Sequence, residues 1–186
     1  MRFAPLAAVA VAAPILMTGF AAAPASAAVT PTNVSASVAA KKATPKKSKK
    51  TQAMGAVAMR TKNTTYTPTQ AANRLQNWAD NGMSGYHNRC LQLADNAYQP
   101  NGGRTSTALS QWHRAKSKGY AHPGDSNPPV GAQMFWKTSN PAGHIATYVG
   151  DGKAVTNMPG GKVKEINWKN MNDWGPYLGW AEPYYS

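Results

Sequence analysis

The chain of 186 residues carries 20 lysines and arginines against 7 aspartates and glutamates, which gives a formal net charge of +13. Such a charge is typical of nucleic-acid binders, but residues 28–64 hold eight basic and no acidic residues, whereas residues 65–186 hold eleven basic and seven acidic ones. Because the second region shows no basic face interleaved with aromatic residues, we expect no nucleic-acid partner.

The first residues have the pattern of a secretory signal peptide. One arginine precedes a long uncharged apolar run, and Ala25, Ser26 and Ala27 form an A-x-A cleavage site. Residues 1–27 are therefore predicted to be removed. No other stretch approaches the roughly 20 apolar residues that a membrane span requires. We expect the mature protein to make no membrane contact and to be secreted, either extracellular or associated with a cell wall.

Residues 28–64 are predicted to form a disordered, lysine-rich linker. They are rich in Ala, Thr, Ser, Pro and Lys and lack large apolar side chains apart from Met. Such a segment cannot bury enough surface to offset the conformational entropy that it would lose on ordering. Its cluster KKATPKKSKK is either a solvated run of charge or a means of binding anionic wall polymers outside the cell.

Residues 65–186 are predicted to form one domain with its own core, since all six tryptophans fall after residue 77. Apolar periodicity predicts helices in its first half. These run from Pro68 to near Gly82, from about Arg89 to Tyr98 and from about Ser106 to Lys116.

Five later segments are predicted to be strands, because each is short, rich in β-branched or aromatic residues and bounded by turn signals. They are AQMFWK, HIATYV, KAVTN, KVKEI and a closing segment that contains Tyr177 and Trp180. Helices followed by antiparallel strands predict an α+β domain, with N-terminal helices packed on an antiparallel β-sheet. We expect this domain to be a monomer.

The chain has a single cysteine, Cys90, which cannot form an intramolecular disulfide. It is either a small buried hydrophobe or a thiol kept for its reactivity. Asn88 is a plausible N-cap, which would place Cys90 in the first turn of the second helix. A helix N-terminus lowers the pKa of a thiol, and the thiolate is the nucleophile.

Three of the four histidines are predicted to be surface residues: His87 in a loop, His113 on the polar side of the third helix and His122 in a turn. His144 differs because it opens a predicted strand. It is either a structural histidine at a strand end or a general base.

The spacing of small residues favours a pairing of Cys90 with His144. Cys90, Ala94 and Ala97 form one stripe of the second helix, and alternation along the strand places Ala146 on the same face as His144. We expect the helix to approach this face closely, which would bring thiol and imidazole within hydrogen-bonding reach.

Four segments, RCLQLADNAY, PPVGAQMFW, GHIATYVGDGKAVTN and YLGWAEP, resemble successive landmarks of the CHAP and NlpC-type peptidases. These are papain-like enzymes that act on bacterial cell walls, and the resemblance covers most of residues 86–182. It implies a papain-like fold, with Cys90 as the nucleophile and His144 as the base. A polar residue on the next strand would orient the imidazole, and this residue is Asn157, with Thr156 as the rival.

The sequence departs from the NlpC pattern around the cysteine. That pattern has Asp before the cysteine and Ser-Gly after it, whereas Arg89 precedes Cys90 here and Leu91 and Gln92 follow it. The sequence is closer to the CHAP-like branch in this respect.

The resemblance implies a secreted cysteine hydrolase, an endopeptidase or amidase that cleaves amide bonds in peptidoglycan stem peptides. The alternative is a non-catalytic protein that keeps the fold and binds the cell wall. Peptidoglycan or another wall polymer is the expected partner in either case. We expect no cofactor and no metal, since the histidines lack ligand spacing with other His, Cys or acidic residues.

Overall fold

A computed structural model describes residues 58–186 of the chain. The predicted signal peptide and residues 28–57 of the predicted linker lie outside the described residues. None of the helices within residues 58–186 is long and apolar enough to cross a bilayer.

Helices occupy the first half of the domain, as the periodicity predicts. They are α1 (Pro68–Asp80), α2 (Cys90–Tyr98) and α3 (Ala108–Ser117). The N-cap of α2 is Arg89 rather than Asn88, and Asn88 has a left-handed φ of 55° that does not suit an N-cap. Cys90 is therefore the first residue of its helix.

Strands and two 3₁₀ helices make up the second half. The strands are β1 (Ala121–Pro123), β2 (Gln133–Trp136), β3 (His144–Gly150), β4 (Lys153–Asn157), β5 (Val163–Asn167) and β6 (Tyr177–Ala181), and the 3₁₀ helices are Pro159–Gly161 and Trp168–Trp174. The six strands form one antiparallel sheet in the order β1-β6-β2-β3-β4-β5. The predicted α+β class is confirmed. Strand β1 was not predicted, because three residues that include a proline show no alternation.

The helices cover one face of the sheet. Their core contains two clusters, one around Leu75, Leu93, Ala97, Val149 and Val155 and one around Leu91, Ala94, Trp112, Phe135 and Ile145. A third cluster lies on the opposite face, where the 3₁₀ helix Trp168–Trp174 contributes Trp168 and Met171.

The alternation of β3 corrects one expectation. Ile145 and Val149 face the helices, where their larger side chains fill the core, whereas Ala146 packs with Trp168 and Met171 on the other face. The prediction that α2 approaches the sheet over Ala146 is therefore wrong.

Residues 60–63, which the sequence placed in the linker, contact the C-terminal segment. The Nε of Arg60 lies 2.6 Å from Oε2 of Glu182. The backbone N–H of Lys62 donates to the carbonyl of Pro183 at 3.0 Å, and its carbonyl accepts from Tyr185 at 3.2 Å. The folded domain therefore begins before residue 65, because backbone pairing with residues 183–185 orders a segment whose composition alone predicts disorder.

Candidate active site

Cys90 is partly buried at the start of α2. No side chain caps this helix. The backbone amides of Ile145, Leu91 and Cys90 itself lie near the sulfur and act to lower the pKa of the thiol. The sulfur therefore lies against both the first turn of α2 and the residue that follows His144 on β3.

Burial nevertheless raises the pKa of the Cys90 thiol above its ordinary value, and the nearby charge of Asp95 adds to the increase. These two effects outweigh the three amides. The expectation that the helix N-terminus lowers the thiol pKa is therefore wrong in its net direction, and Cys90 is a neutral thiol at neutral pH.

The turn before β3 fixes the position of His144. Gly143 has a φ of +69°, and a Cβ at this position would come within 2.6 Å of Cγ of Leu109. The N–H of Leu109, in α3, also donates to the carbonyl of Ala142 at 2.9 Å. The glycine therefore lets the turn pack closely against α3 immediately before the imidazole.

The imidazole of His144 is held by a threonine on the neighbouring strand. Its Nε2 lies 2.7 Å from Oγ1 of Thr156, and that hydroxyl donates to the carbonyl of Ile145 at 3.0 Å. A hydroxyl has only one proton to donate, so Thr156 must accept from Nε2–H. This assigns the tautomer of the neutral ring: Nε2 carries the proton and Nδ1 carries the lone pair.

Two tryptophans pack near the ring. Trp174 meets it edge to face, with ring centroids 5.1 Å apart and planes at 85°, and the centroid of Trp136 lies 6.5 Å away. Burial lowers the pKa of His144 to about 4. The ring is therefore uncharged at neutral pH and can accept a proton at Nδ1.

Asn157, the predicted third residue, is not the partner of this ring. Its Nδ2 donates to the carbonyl of Tyr86 at 2.7 Å. Because Thr147 pairs with Val155, Thr156 lies on the face of the sheet that carries His144, and Asn157 lies on the face of the helices. The prediction is corrected to Thr156, the rival position.

Cys90 and His144 line two adjoining cavities. The cavity at Cys90 has a volume of about 350 Å³ and the cavity at His144 about 360 Å³, and Asn88 lines both. Within residues 58–186, no hydrogen bond joins the thiol to the imidazole, and His144 shares the face of the sheet opposite α2 with Ala146 and Thr156. The expectation that the two groups lie within hydrogen-bonding reach is therefore wrong for this structure. The structure thus brings Cys90 next to the backbone that follows His144, with the two side chains opening into neighbouring spaces.

The other histidines differ from one another. His87 is exposed, as predicted, but it lines the cavity of His144, and His113 is exposed on α3. His122 is partly buried and stacks on Trp180, with ring centroids 3.7 Å apart. Its assignment to a surface turn is wrong because β1, which carries it, pairs with β6.

Two residues of these cavities were not predicted. Trp174 lines the cavity of His144, and Asp95 lines the cavity of Cys90. A signal for Asp95 was present in the sequence, since this carboxylate follows Ala94 and precedes Ala97 on an otherwise apolar helix face.

No protein-family model matches the chain, and the comparison with curated proteins finds no match. Among solved structures, the chain is similar to NlpC1 and NlpC2 from Trichomonas vaginalis, with sequence identities of 21% and 20% and TM-scores of 0.44 and 0.43. Each comparison covers 64% of this chain and, respectively, 44% and 46% of the other chain. The chain therefore spans less than half the length of either protein.

Proposed function

We propose that the protein is a secreted cysteine hydrolase that cleaves amide bonds in peptidoglycan stem peptides, as an endopeptidase or an amidase. Cys90 is the nucleophile, His144 is the general base, and Thr156 holds the imidazole in the reactive tautomer. The observation that carries the proposal is the hydrogen-bond chain from Nε2 of His144 through Thr156 to the Ile145 carbonyl. It leaves a neutral ring with its lone pair on Nδ1, one residue away from the amide that contacts the Cys90 sulfur.

The reaction begins with both groups neutral. Nδ1 of His144 takes the thiol proton as the sulfur attacks the substrate carbonyl, so the carbonyl oxygen becomes an oxyanion. The amides of Cys90 and Leu91, which act on the sulfur before the attack, have no side-chain cap and can donate to this oxyanion once the sulfur is bonded to carbon. The imidazolium then gives its proton to the leaving amine, and water hydrolyses the resulting thioester with His144 again as the base.

Proton transfer requires that thiol and imidazole come within hydrogen-bonding distance when substrate binds. Catalytic hydrogen bonds are commonly long before the substrate arrives and tighten in its complex. A substrate chain that lies across Asn88 would occupy both cavities and exclude water from the space between Cys90 and His144.

The substrate class and location are supported by sequence rather than by the geometry of the site. The segments RCLQLADNAY, PPVGAQMFW, GHIATYVGDGKAVTN and YLGWAEP resemble wall peptidases, and the first 27 residues have the pattern of a signal peptide. The cluster KKATPKKSKK would bind anionic wall polymers and hold the enzyme near its substrate.

Digestion of purified peptidoglycan tests the proposal. We expect the mature protein to release soluble muropeptides, and both Cys90→Ala and prior treatment with iodoacetamide to abolish the release. Cys90 is the only cysteine, so alkylation acts on it alone. Circular dichroism establishes that the variant folds. Equal release by Cys90→Ala would overturn the proposal, and mass analysis of the fragments identifies the bond that is cut.

The second candidate is a wall-binding protein without activity. The raised pKa of the Cys90 thiol favours it, because a neutral buried thiol is also what an unreactive cysteine would show. In this case Cys90→Ala would leave wall retention unchanged and no muropeptides would form. Substitution of Lys46, Lys47, Lys49 and Lys50 by Gln would then remove the main activity, which is retention on the wall.

A further inference from the structure

We propose that the cavity beside Cys90 is a specificity subsite for a substrate side chain that ends in an ammonium group, with Asp95 as its anionic partner. This inference rests on the proposed hydrolase function.

The cavity lies between the start of α2 and the loop that leads into α3. Its lining includes Cys90 and Asp95 from α2, Arg89 immediately before this helix, and residues 104–107 from the loop. Residues five positions apart on a helix are separated by about 7.5 Å along its axis. They are also turned by about 140° around the axis, so a substrate side chain must be long and flexible, as that of lysine is, to reach from a peptide bond at the sulfur to the carboxylate.

Asp95 is a buried carboxylate with unused capacity. It is 2% exposed, and its Oδ1 accepts one hydrogen bond, from the hydroxyl of Tyr185 at 2.9 Å. A carboxylate can accept about four hydrogen bonds, and no other side-chain donor within residues 58–186 bonds to Asp95. Burial raises its pKa to about 6. The group is mostly ionised at neutral pH and gains from a cation that reaches it.

Neighbouring arginines do not neutralise this carboxylate by direct contact. Nη2 of Arg114 donates to Oε1 of Gln111 at 2.6 Å, and Nη1 of Arg104 lies 3.4 Å from Oδ1 of Asn96. Both lower the pKa of Asp95 only through space. Arg89 and Arg104 also line the cavity, but both are exposed and water screens their charge, whereas Asp95 is buried. The deep end of the cavity therefore favours a cation.

The contrasting interpretation is a purely structural carboxylate. Tyr185 also accepts from Nε2 of Gln133 at 3.0 Å, so Asp95 ends a buried polar chain beneath the sheet. That role uses Oδ1 and leaves Oδ2 without a side-chain donor among residues 58–186. The two interpretations predict different consequences for substrate choice, which allows a direct test.

The test compares two forms of one peptidoglycan whose stem peptides carry a free side-chain amine. One form is left native and the other is acetylated on its amines, which removes the charge. We expect the mature protein to release muropeptides from the native form about tenfold to a hundredfold faster, the effect of one hydrogen bond to a charged group. Equal rates on the two forms would overturn the subsite.

Two variants separate the subsite from a structural role. Asp95→Asn should bring the ratio of the two rates close to one. Tyr185→Phe removes the internal hydrogen bond but keeps the carboxylate, so it should retain the ratio even if it lowers stability. A ratio that falls equally in both variants would overturn the proposal. The ratio of rates on native and acetylated peptidoglycan is measured first on the unmodified protein. The subsite can therefore still be overturned if Asp95→Asn folds poorly.

The same assay separates failure of this inference from failure of the proposed function. Release from both forms at one rate means that the hydrolase stands and the subsite does not. No release from either form, with Cys90→Ala indistinguishable from the unmodified protein, overturns the hydrolase and the subsite together.

Discussion

The N-termini of α1 and α2 are built in opposite ways. At α1, Pro68 occupies the first position, the hydroxyl of Thr67 accepts from the N–H of Gln70 at 3.3 Å, and the Gln70 side chain accepts from the Thr67 N–H at 3.0 Å. At α2, Arg89 provides no side-chain cap. A cap is worth about 1 kcal/mol. Helix α2, which lacks this cap, is the helix whose first backbone amides lie near the thiol of Cys90.

Tertiary burial replaces the missing cap. Six of the nine residues of α2 are buried, against three of the thirteen residues of α1. Helix α2 is therefore stabilised mainly by packing against the sheet, whereas α1 is also stabilised by the local capping interactions at its N-terminus. The start of α2 can therefore lack a side-chain cap because packing, rather than capping, fixes the helix.

The largest expected effect tests whether the uncapped helix start works with the imidazole on β3. His144→Gln should lower the rate of muropeptide release by at least about a thousandfold, because it removes the general base. His113→Gln is the matched control, since His113 is exposed on α3. A loss of less than about tenfold in His144→Gln would show that Cys90 does not depend on this ring.

The second prediction concerns how the free energy of unfolding depends on pH, because α2 buries the ionisable carboxylate of Asp95. Burial raises the pKa of Asp95 from 3.8 to about 6, so the folded state holds this proton more tightly and the free energy of unfolding falls as pH rises through that window. Burial lowers the pKa of His144 from 6.5 to about 4, so its contribution rises with pH over nearly the same window. Each is worth about 3 kcal/mol.

Because these contributions oppose each other, the unmodified protein should show a nearly flat profile between about pH 4 and pH 6. Asp95→Asn should expose the rising contribution of His144, and His144→Gln should expose the falling contribution of Asp95. Urea unfolding across this range measures both slopes. Parallel profiles in the two variants would contradict the assignment of these pKa shifts to burial.

A smaller effect is expected at Thr156, which positions the ring. Thr156→Val removes the acceptor for Nε2–H and should lower the rate about tenfold, the cost of one hydrogen bond. Thr156→Ser keeps the hydroxyl and should restore most of the rate. If Thr156 had a purely structural role, the rate in each variant would fall in proportion to its loss of stability, as measured by urea unfolding. Asn157→Ala serves as the comparison, since its amide contacts the carbonyl of Tyr86 and not the ring.

Local signals predicted most of this fold. Thr67 with Pro68 marks the start of α1, and the β-branched and aromatic runs mark five of the six strands. Cys90 at a helix start and His144 at a strand start follow from the same signals. Strand β1 could not be predicted, since three residues cannot show a period and their pairing with β6 is a long-range contact.

The choice between Thr156 and Asn157 depended on register, which the sequence did not determine. A shift of one residue along β4 exchanges the two faces of the sheet. The pairing of Thr147 with Val155 places the hydroxyl on the side of the imidazole. The sequence also could not predict whether the pKa of the thiol is raised or lowered, because the shift depends on how far Cys90 is buried and not only on its position in the helix.

The smallest expected effect returns to the two helix starts. Thr67→Ala removes a side-chain cap and should lower the free energy of unfolding by about 1 kcal/mol. Arg89→Ala removes no cap and should change it by less than about 0.5 kcal/mol. Urea unfolding at neutral pH measures both, and Thr67→Ala should leave muropeptide release unchanged. If Arg89→Ala proved the more destabilising, the start of α2 would have a stabilising contact of its own, and its amides would not be reserved for the thiol and the oxyanion.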